Sequence, residues 1–240
     1  SGVEITTIAD IPSRGTGLGS SSAVTVGLLN ALHRFAGRVA SPEQLADEAC
    51  RIEIDILGQP IGRQDQYAAA YGGVNSITFG PDGVGVNPLQ ISPYVINRLS
   101  EEFTLVFTGT SRSASEVLSE APEDPADKLA RLRAIREQAD EARGMLEPGD
   151  LSTLGSLIGD AWSSKRGISP GVSSDEIDAL HDRIMAMGAF GAKLLGAGGG
   201  GFFLVHGEEG LRDMLAELGP ENRLIPLDVD AEGSAIIHED

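Results

Sequence analysis

A glycine- and serine-rich stretch near the start of the chain limits what it can fold into more than any other feature. Residues 12–23 read Pro-Ser-Arg-Gly-Thr-Gly-Leu-Gly-Ser-Ser-Ser-Ala, and a long helical pattern follows at once. Glycine takes positive φ and lets the backbone approach a ligand closely. Serine hydroxyls and N–H groups at a helix start favour an anion, because the helix dipole is positive there. The stretch therefore predicts a turn that binds a nucleotide phosphate, with a purely structural strand-to-helix turn as the alternative.

The same stretch lacks the features of two common phosphate-binding turns. It does not end in the Gly-Lys-Ser/Thr of a Walker A loop, which argues against ordinary P-loop chemistry. It also lacks a clean Gly-x-Gly-x-x-Gly with an acidic residue closing a second strand, which argues against a dinucleotide-binding fold. The alternating residues Val3–Ile8 predict a strand before the turn, and apolar residues at helical spacing predict a helix from Ser20 to about Gly37.

Helical and strand patterns alternate along the rest of the chain, without internal repeats or low-complexity linkers. Helices are predicted over 41–58, 67–71, 125–146, 151–165, 174–187 and 209–218, a polar loop over 59–66, and strands over 74–79, 103–108, 202–206 and 224–228. The long helix 125–146 is expected to turn inwards its apolar residues Leu129, Leu132, Ile135, Ala139 and Ala142. The pattern predicts an α+β fold of two lobes, residues 1–97 and 98–240.

A net charge of −18 at pH 7 limits the partners that the chain can bind. Nucleic-acid binding is not expected, because neutralising phosphates needs clustered Lys and Arg. Membrane binding is not expected either, since no apolar run is long enough to span a bilayer. Cys50 is the only cysteine and is predicted to be a small buried apolar residue. Together with the lack of a visible signal peptide, this predicts a cytoplasmic protein.

Two carboxylates are candidates for chemistry at the predicted phosphate site. Asp65 lies in the polar loop Gly62-Arg63-Gln64-Asp65-Gln66, a position typical of functional carboxylates and also of turn-forming ones. Glu53 falls on the side of its helix that carries Cys50 and Leu57, near the loop that bears Asp65. A solvated surface residue is the alternative for Glu53, because glutamates are mostly exposed.

A second glycine-rich segment lies near the end of the chain, where residues 193–202 read Lys-Leu-Leu-Gly-Ala-Gly-Gly-Gly-Gly-Phe. Consecutive glycines before a strand carry a large entropic cost, so the segment is either a tight structural crossing or part of a binding site. Arg112 follows the strand 103–108, and Lys165 and Arg166 lie near a helix end. Such cations either interact with the helix dipole or meet an anionic substrate.

Three motifs occur here in the same order as in a known superfamily. Gly-Leu-Gly-Ser-Ser-Ser-Ala at 17–23, Gln-Asp-Gln-Tyr at 64–67 and the glycine segment at 193–202 resemble the phosphate loop, the catalytic-aspartate motif and the third motif of the GHMP kinases. The resemblance implies a ribosomal-protein-S5-like N-lobe and a ferredoxin-like C-lobe. It also implies that the protein binds ATP, Mg²⁺ and a small-molecule substrate.

The resemblance further implies roles for residues of this sequence. Asp65 would be the catalytic residue, which orients the attacking sugar hydroxyl and takes its proton. Ser21 and Glu53 would bind Mg²⁺. The ATP-binding residues would be Gly15, Thr16, Gly17, Leu18, Gly19, Ser20, Ser21, Ser22, Gly198 and Gly199, and the sugar would contact Gln64, Asp65, Tyr71, Arg112 and Gly196.

Longer segments at 62–75, 108–114 and 188–202 resemble the D-glycero-D-manno-heptose 7-phosphate kinases. This implies phosphorylation of the anomeric C1 hydroxyl, which gives a 1,7-bisphosphate for nucleotide-activated heptose and surface glycans. Fucokinase, galactokinase and mevalonate kinase share much of the pattern, and a non-catalytic sugar- or ATP-binding sensor is a further alternative. Family members carry a region before the phosphate loop that nothing here matches. The N-lobe is therefore expected to be incomplete, and the 240 residues alone to bind ATP weakly and turn over sugar poorly.

Overall fold

The computed structural model describes residues 2–9, 15–119 and 124–238. Residues 12–14, which open the glycine- and serine-rich stretch, lie outside the described residues. The strand predicted at Val3–Ile8 is wrong, because residues 2–9 are exposed and belong to no strand. β-branched alternation favours a strand only when a neighbour accepts its backbone hydrogen bonds, and within the described residues no strand pairs with this segment.

The N-terminal part of the chain is a group of helices followed by a β-hairpin. Its elements are α1 (Ser20–Phe35), α2 (Pro42–Cys50) with a π-helical continuation (Arg51–Ile56), α3 (Gln64–Tyr71), β1 (Asn75–Gly80) and β2 (Gly83–Pro88). Ser41 caps α2, since its hydroxyl accepts a hydrogen bond from Gln44 N at 3.1 Å. The buried core of this part comprises Val26, Leu45, Ala46, Ala49, Cys50, Tyr67 and Ala70. Cys50 is buried, as predicted.

The C-terminal part surrounds an antiparallel sheet with strand order β4-β5-β3-β6. Its elements are α4 (Pro93–Glu102), β3 (Phe103–Phe107), α5 (Ala114–Ser119), α6 (Pro125–Leu146), α7 (Leu151–Arg166), a 3₁₀ turn (Pro170–Val172), α8 (Asp175–Ala186), β4 (Gly191–Leu194), β5 (Phe202–His206), α9 (Leu211–Leu215) with a 3₁₀ turn (Ala216–Leu218), and β6 (Leu224–Pro226). Leu105 of β3 lies opposite Leu204 of β5 and Ile225 of β6. Trp162 and Phe203 are fully buried in the main core beneath the sheet.

Helix α6 has the predicted bounds but not the predicted buried face. Leu129 and Leu132 are 50% and 44% exposed, and the helix has no buried residue. Periodicity shows which residues share a helix face, but it does not show whether another element covers that face. Among the described residues, no helix combines the length and the apolar character needed to cross a bilayer.

The end of the chain returns to the N-terminal helices as a strap, residues 229–234. Gly73 N donates to Asp230 O at 2.5 Å, and the Asn30 amide donates to Ser234 O at 3.0 Å. The strap crosses the end of α3 where glycine faces glycine, because a Cβ on Gly233 would lie 2.6 Å from Gly72 N. The strap therefore ties the two parts of the chain together, and the lobe boundary at residue 97 stays a prediction.

Candidate active site

The phosphate loop, residues 15–22, has the backbone shape that its glycines predict. Gly15, Gly17 and Gly19 all take left-handed conformations, with φ of 70°, 73° and 69°. Gly19 is the N-cap of α1 and has no side chain with which to cap the first-turn N–H groups. The buried Thr16 braces the loop, because its hydroxyl lies 3.2 Å from that of Ser20. Backbone N–H groups at the positive end of a helix form a cradle suited to an anion.

The glycine loop, residues 196–201, packs directly against the phosphate loop. A Cβ on Gly17 would lie 2.8 Å from Leu195 O and 3.2 Å from Gly196 N, and a Cβ on Gly196 would overlap with Gly17 Cα. A side chain at Gly201 would likewise overlap with Thr16 O. Two turns separated by about 180 residues of sequence therefore meet backbone to backbone, at a distance that only glycine allows.

Asp65 lies beside the phosphate loop, in the first turn of α3. A Cβ on Gly19 would lie 3.3 Å from Asp65 Cγ and 3.5 Å from Asp65 Oδ2, so the carboxylate is beside the N-cap of α1. The Asp65 side chain reaches solvent. The surrounding protein nevertheless removes part of its hydration, which raises the pKa of Asp65, and the negative charge of the Glu53 carboxylate raises that pKa further. A raised pKa makes a carboxylate a stronger base.

Glu53 is buried and joins α1 to α3. Only 3% exposed, its carboxylate accepts hydrogen bonds from Ser21 at 3.2 Å and Ser22 at 2.8 Å, both in α1. Thr25 also donates to it at 3.2 Å, and Gln66 of α3 donates at 2.5 Å. These four donors keep a buried carboxylate in place beside the phosphate loop.

The oxygen donors at this position suit a magnesium ion. Ser21 and the Glu53 carboxylate present the hard oxygen atoms that Mg²⁺ prefers, and Mg²⁺ usually completes its shell with water and phosphate oxygens. Among the described residues there is no cluster of three or more His, Cys, Asp or Glu side chains that would hold a metal alone. Ser21 and Glu53 are therefore the residues that could hold Mg²⁺ together with phosphate oxygens.

Arg112, which follows β3, and the glycine-loop residues Gly198 and Gly199 close the site from the C-terminal part. A Cβ on Gly15 would lie 3.0 Å from Arg112 N, and one on Gly199 would lie 2.8 Å from Arg112 Cδ. The Arg112 guanidinium lies 3.5 Å from Gly171 O, and Gly199 N donates to Val172 O at 2.9 Å. Gly198 is buried against Val172, since a Cβ there would lie 2.7 Å from Val172 O. Arg112 thus lies between the two loops.

Two further predicted sugar contacts, Gln64 and Tyr71, lie at opposite ends of α3. Gln64 is exposed in the first turn of α3, next to Asp65. Tyr71 lies at the far end of α3, where it stacks on Tyr67 with ring centroids 6.3 Å apart. Burial raises the pKa of Tyr71, and the nearby carboxylate of Glu43, a residue of α2, raises it further. Tyr71 packs against the N-terminal core.

Sequence reasoning missed two residues that hold Glu53. Gln66 is fully buried and belongs to the Gln-Asp-Gln-Tyr motif, which predicted a role only for its aspartate and first glutamine. Thr25 lies one helical turn after Ser21, and the i, i+4 spacing could have placed both on the face that meets Glu53. Each donor acts across a separation of 13 or 28 residues, which no local pattern reveals.

Family models match both parts of this arrangement. Residues 1–73 match the GHMP kinases N terminal domain, and residues 132–220 match the GHMP kinases C terminal domain. The chain belongs to the GHMP kinase family. The N-terminal match contains the phosphate loop, Glu53 and Asp65, whereas the C-terminal match contains the glycine loop. The fold expected of a GHMP kinase is thereby confirmed.

Individual GHMP kinases resemble the chain over most of its length. A D-glycero-alpha-D-manno-heptose 7-phosphate kinase of Campylobacter jejuni is 35% identical over 82% of this chain and 58% of its own length. A bifunctional fucokinase/GDP-fucose pyrophosphorylase of Arabidopsis thaliana is 30% identical over 85% of this chain and 20% of its own. The crystal structure of a D-glycero-D-manno-heptose 1-phosphate kinase of Bacteroides thetaiotaomicron superposes with a TM-score of 0.72 at 25% identity, covering 93% of this chain and 64% of that one. This GHMP kinase chain therefore spans about three fifths of the Campylobacter and Bacteroides relatives.

Proposed function

We propose that this GHMP kinase transfers the γ-phosphoryl group of ATP to a sugar hydroxyl. The observation that carries the proposal is the meeting of the phosphate loop and the glycine loop beside Asp65. Phosphoryl transfer asks of a protein mainly that it position the reactants and stabilise charge. The cradle of N–H groups at the start of α1 would hold the phosphates, and Arg112 would add a positive charge between the loops.

Asp65 is the residue that we assign to the proton. As the sugar hydroxyl oxygen forms its bond to the γ-phosphorus, the bond from that phosphorus to the bridging oxygen of ADP breaks, and the hydroxyl proton passes to the Asp65 carboxylate. The raised pKa of Asp65 favours this transfer, because its carboxylate accepts a proton more readily than an ordinary one. Gln64, exposed next to Asp65, is our candidate for contact with the sugar.

Ser21 and Glu53 are the residues that we expect to hold Mg²⁺. When bound with ATP, the ion neutralises phosphate charge. Ser22, Thr25 and Gln66 would keep the Glu53 carboxylate oriented by their hydrogen bonds. Replacing Glu53 by Gln is expected to raise the Mg²⁺ concentration needed for half-maximal nucleotide binding.

The sugar that we propose is heptose 7-phosphate, phosphorylated at its C1 hydroxyl in the cytoplasm. The segments 62–75, 108–114 and 188–202, which carry the resemblance to the heptose kinases, include Asp65, Arg112 and the glycine loop. This overlap supports the choice of heptose 7-phosphate, because residues near the two loops would contact the sugar. Fucose is the second candidate, because a protein that includes a fucokinase is 30% identical to the chain.

A turnover measurement on Asp65→Asn tests the proposal. Phosphate transfer from γ-labelled ATP to heptose 7-phosphate, fucose, galactose and mevalonate would be compared in the wild type, Asp65→Asn and the control Asp82→Asn, which lies in the exposed β1–β2 turn. We expect Asp65→Asn to lower kcat by about 10² to 10⁴ with an unchanged Kd for nucleotide, since general base catalysis contributes that much. Asp82→Asn is expected to match the wild type.

The same measurement separates the alternatives. Nucleotide binding without phosphate transfer to any of the four acceptors, in a protein that also carries the region expected before the phosphate loop, would indicate a non-catalytic sensor and would refute the kinase. Transfer to fucose but not to heptose 7-phosphate would keep the kinase and change its substrate. Equal kcat in the wild type and Asp65→Asn would remove Asp65 from the mechanism.

A further inference from the structure

Helix α7 lies unusually close to the edge strand β4, because the crossing is built from glycine. A Cβ on Gly191 of β4 would overlap with Gly155 O of α7 and lie 3.1 Å from Gly159 N. Trp162, buried in the main core, anchors the same helix one turn before its end. The close crossing brings the last turn of α7 to the end of β4, where the glycine loop begins.

Lys165 uses this proximity to bind the backbone at the start of the glycine loop. Its ammonium donates to Leu194 O at 2.7 Å and to Gly196 O at 2.5 Å. Between these two carbonyls, Leu195 N donates to Phe202 O of β5 at 2.9 Å. Three consecutive residues are therefore fixed by a side chain of α7 and by the neighbouring strand.

The backbone between the two carbonyls meets the phosphate loop at Gly17. The atoms nearest to a Cβ built on Gly17 are Leu195 O, Leu195 C and Gly196 N. Lys165 thus holds the backbone on both sides of the contact between the two loops. Its side chain belongs to the C-terminal part, whereas Gly17 belongs to the N-terminal part, so the hydrogen bonds brace the contact from one side.

We propose that Lys165 is a positioning residue that holds the glycine loop against the phosphate loop and so keeps the nucleotide site formed. Its effect on catalysis rests on the proposed function, since the residue would act through Leu195 and Gly17 and not on the nucleotide itself. Without Lys165, Gly196 O would lose its donor at the point where the loops touch, and the glycine-rich backbone that follows has little conformational preference of its own.

The brace does not depend on the protonation state of Lys165. Burial and the nearby Lys193 lower the pKa of Lys165 to about 7. A protonated amine carries three hydrogens and a neutral amine carries two, so either form supplies both hydrogen bonds. Lys193 is the matched control, because burial also lowers its pKa, yet its side-chain amine donates no hydrogen bond within the part of the chain that the structure describes.

Hydrogen exchange and nucleotide binding on the full chain test this role. We expect Lys165→Met to speed backbone amide exchange in the peptide spanning 195–201 by at least about tenfold, which corresponds to 1.4 kcal/mol, and to raise the Kd for Mg-ADP by a similar factor. Lys193→Met is expected to stay within about twofold of the wild type in both, and Lys165→Arg, whose guanidinium keeps two donors, within about threefold.

Each outcome decides the role of Lys165 or the proposed function. Exchange and Kd in Lys165→Met equal to those of Lys193→Met would overturn the brace. A raised Kd with unchanged exchange would overturn it too, because the lysine would then act on the nucleotide directly. If the wild type binds no Mg-ADP, the proposed function fails, and the exchange rates alone confirm or refute the brace. If Lys165→Met does not fold, Lys165→Gln replaces it in the same comparison.

Discussion

Replacing Gly17 by alanine tests whether contact between the two loops creates the nucleotide site. The added Cβ would lie 2.8 Å from Leu195 O, whereas ordinary van der Waals contact begins at 3.4 Å, so the loops must separate by about 0.6 Å. The Cβ points at the glycine loop and not into the phosphate cradle. Its effect on binding would therefore come from the separation.

Two costs of this substitution need to be distinguished. Gly17 has φ of 73°, and a left-handed conformation costs an L-residue about 1–2 kcal/mol. Overpacking against Leu195 adds about 1–3 kcal/mol. Gly37 is the matched control, because its φ is 71° and a Cβ there would meet nothing within 4 Å. Gly37→Ala therefore carries the first cost without the second.

The assay combines urea unfolding with calorimetric titration of Mg-ADP. We expect Gly17→Ala to unfold with about 1–3 kcal/mol less free energy than Gly37→Ala. Its Kd for Mg-ADP should rise about tenfold or more, since a misplacement of about 1 Å in a site costs up to about 10²-fold. Equal Kd values in the two variants would refute the reasoning, because the loops would then tolerate separation without loss of the site.

Three further predictions concern stability. In urea titrations, Asp65→Asn should raise the free energy of unfolding at pH 7, and this gain should shrink towards pH 4. The reason is that the raised pKa of Asp65 makes its ionised carboxylate unfavourable in the folded state. A gain that does not change with pH would contradict the prediction. The free energy of unfolding should rise more in the wild type than in Lys165→Met between pH 7 and 9. The folded state loses the Lys165 proton near its pKa of about 7, whereas the unfolded state keeps that proton up to the ordinary pKa of 10.5. Parallel pH profiles of the two proteins would contradict this prediction. Gly233→Ala should cost about 1–3 kcal/mol by moving the strap off Gly72, whereas Gly188→Ala, which has open space around it, should cost less; equal losses would show that the strap contributes nothing.

Local signals in the sequence were enough to place most helices. Ser41 and Ser174 cap α2 and α8 at the first residues of two predicted helices, and α6 runs from Pro125 to Leu146, the bounds predicted for it. A cap or a first-turn proline acts within about four residues, so its effect can be derived without the rest of the fold.

Elements that depend on distant partners were not predicted. Strand β2 reads Gly-Val-Gly-Val-Asn-Pro, which has a low strand preference on its own. It forms because Val86 lies opposite Ile77 and both pack against the N-terminal core. Helix α4 was not predicted either. Its two buried residues, Val95 and Leu99, are too few to give a clear helical period in the sequence.

The candidate site likewise contains residues that local motifs predicted and residues whose role depends on distant partners. The phosphate loop, Asp65 and Glu53 were predicted from motifs and resemblance, and the structure brings them together. The role of Lys165 was left open, because a lysine at a helix end also suits the helix dipole. Its partners, Leu194 and Gly196, are backbone carbonyls 29 and 31 residues away, and a carbonyl leaves no trace in the amino-acid sequence.

The strap has a consequence for how the protein is made. The partner of Asn30, Ser234, is added 204 residues later. At about 5–20 residues per second, the ribosome needs about 10 to 40 s to synthesise the chain between them. During that time the first helices are without the segment that later covers the end of α3. The N-terminal helices therefore reach their final packing only after Ser234 has been translated.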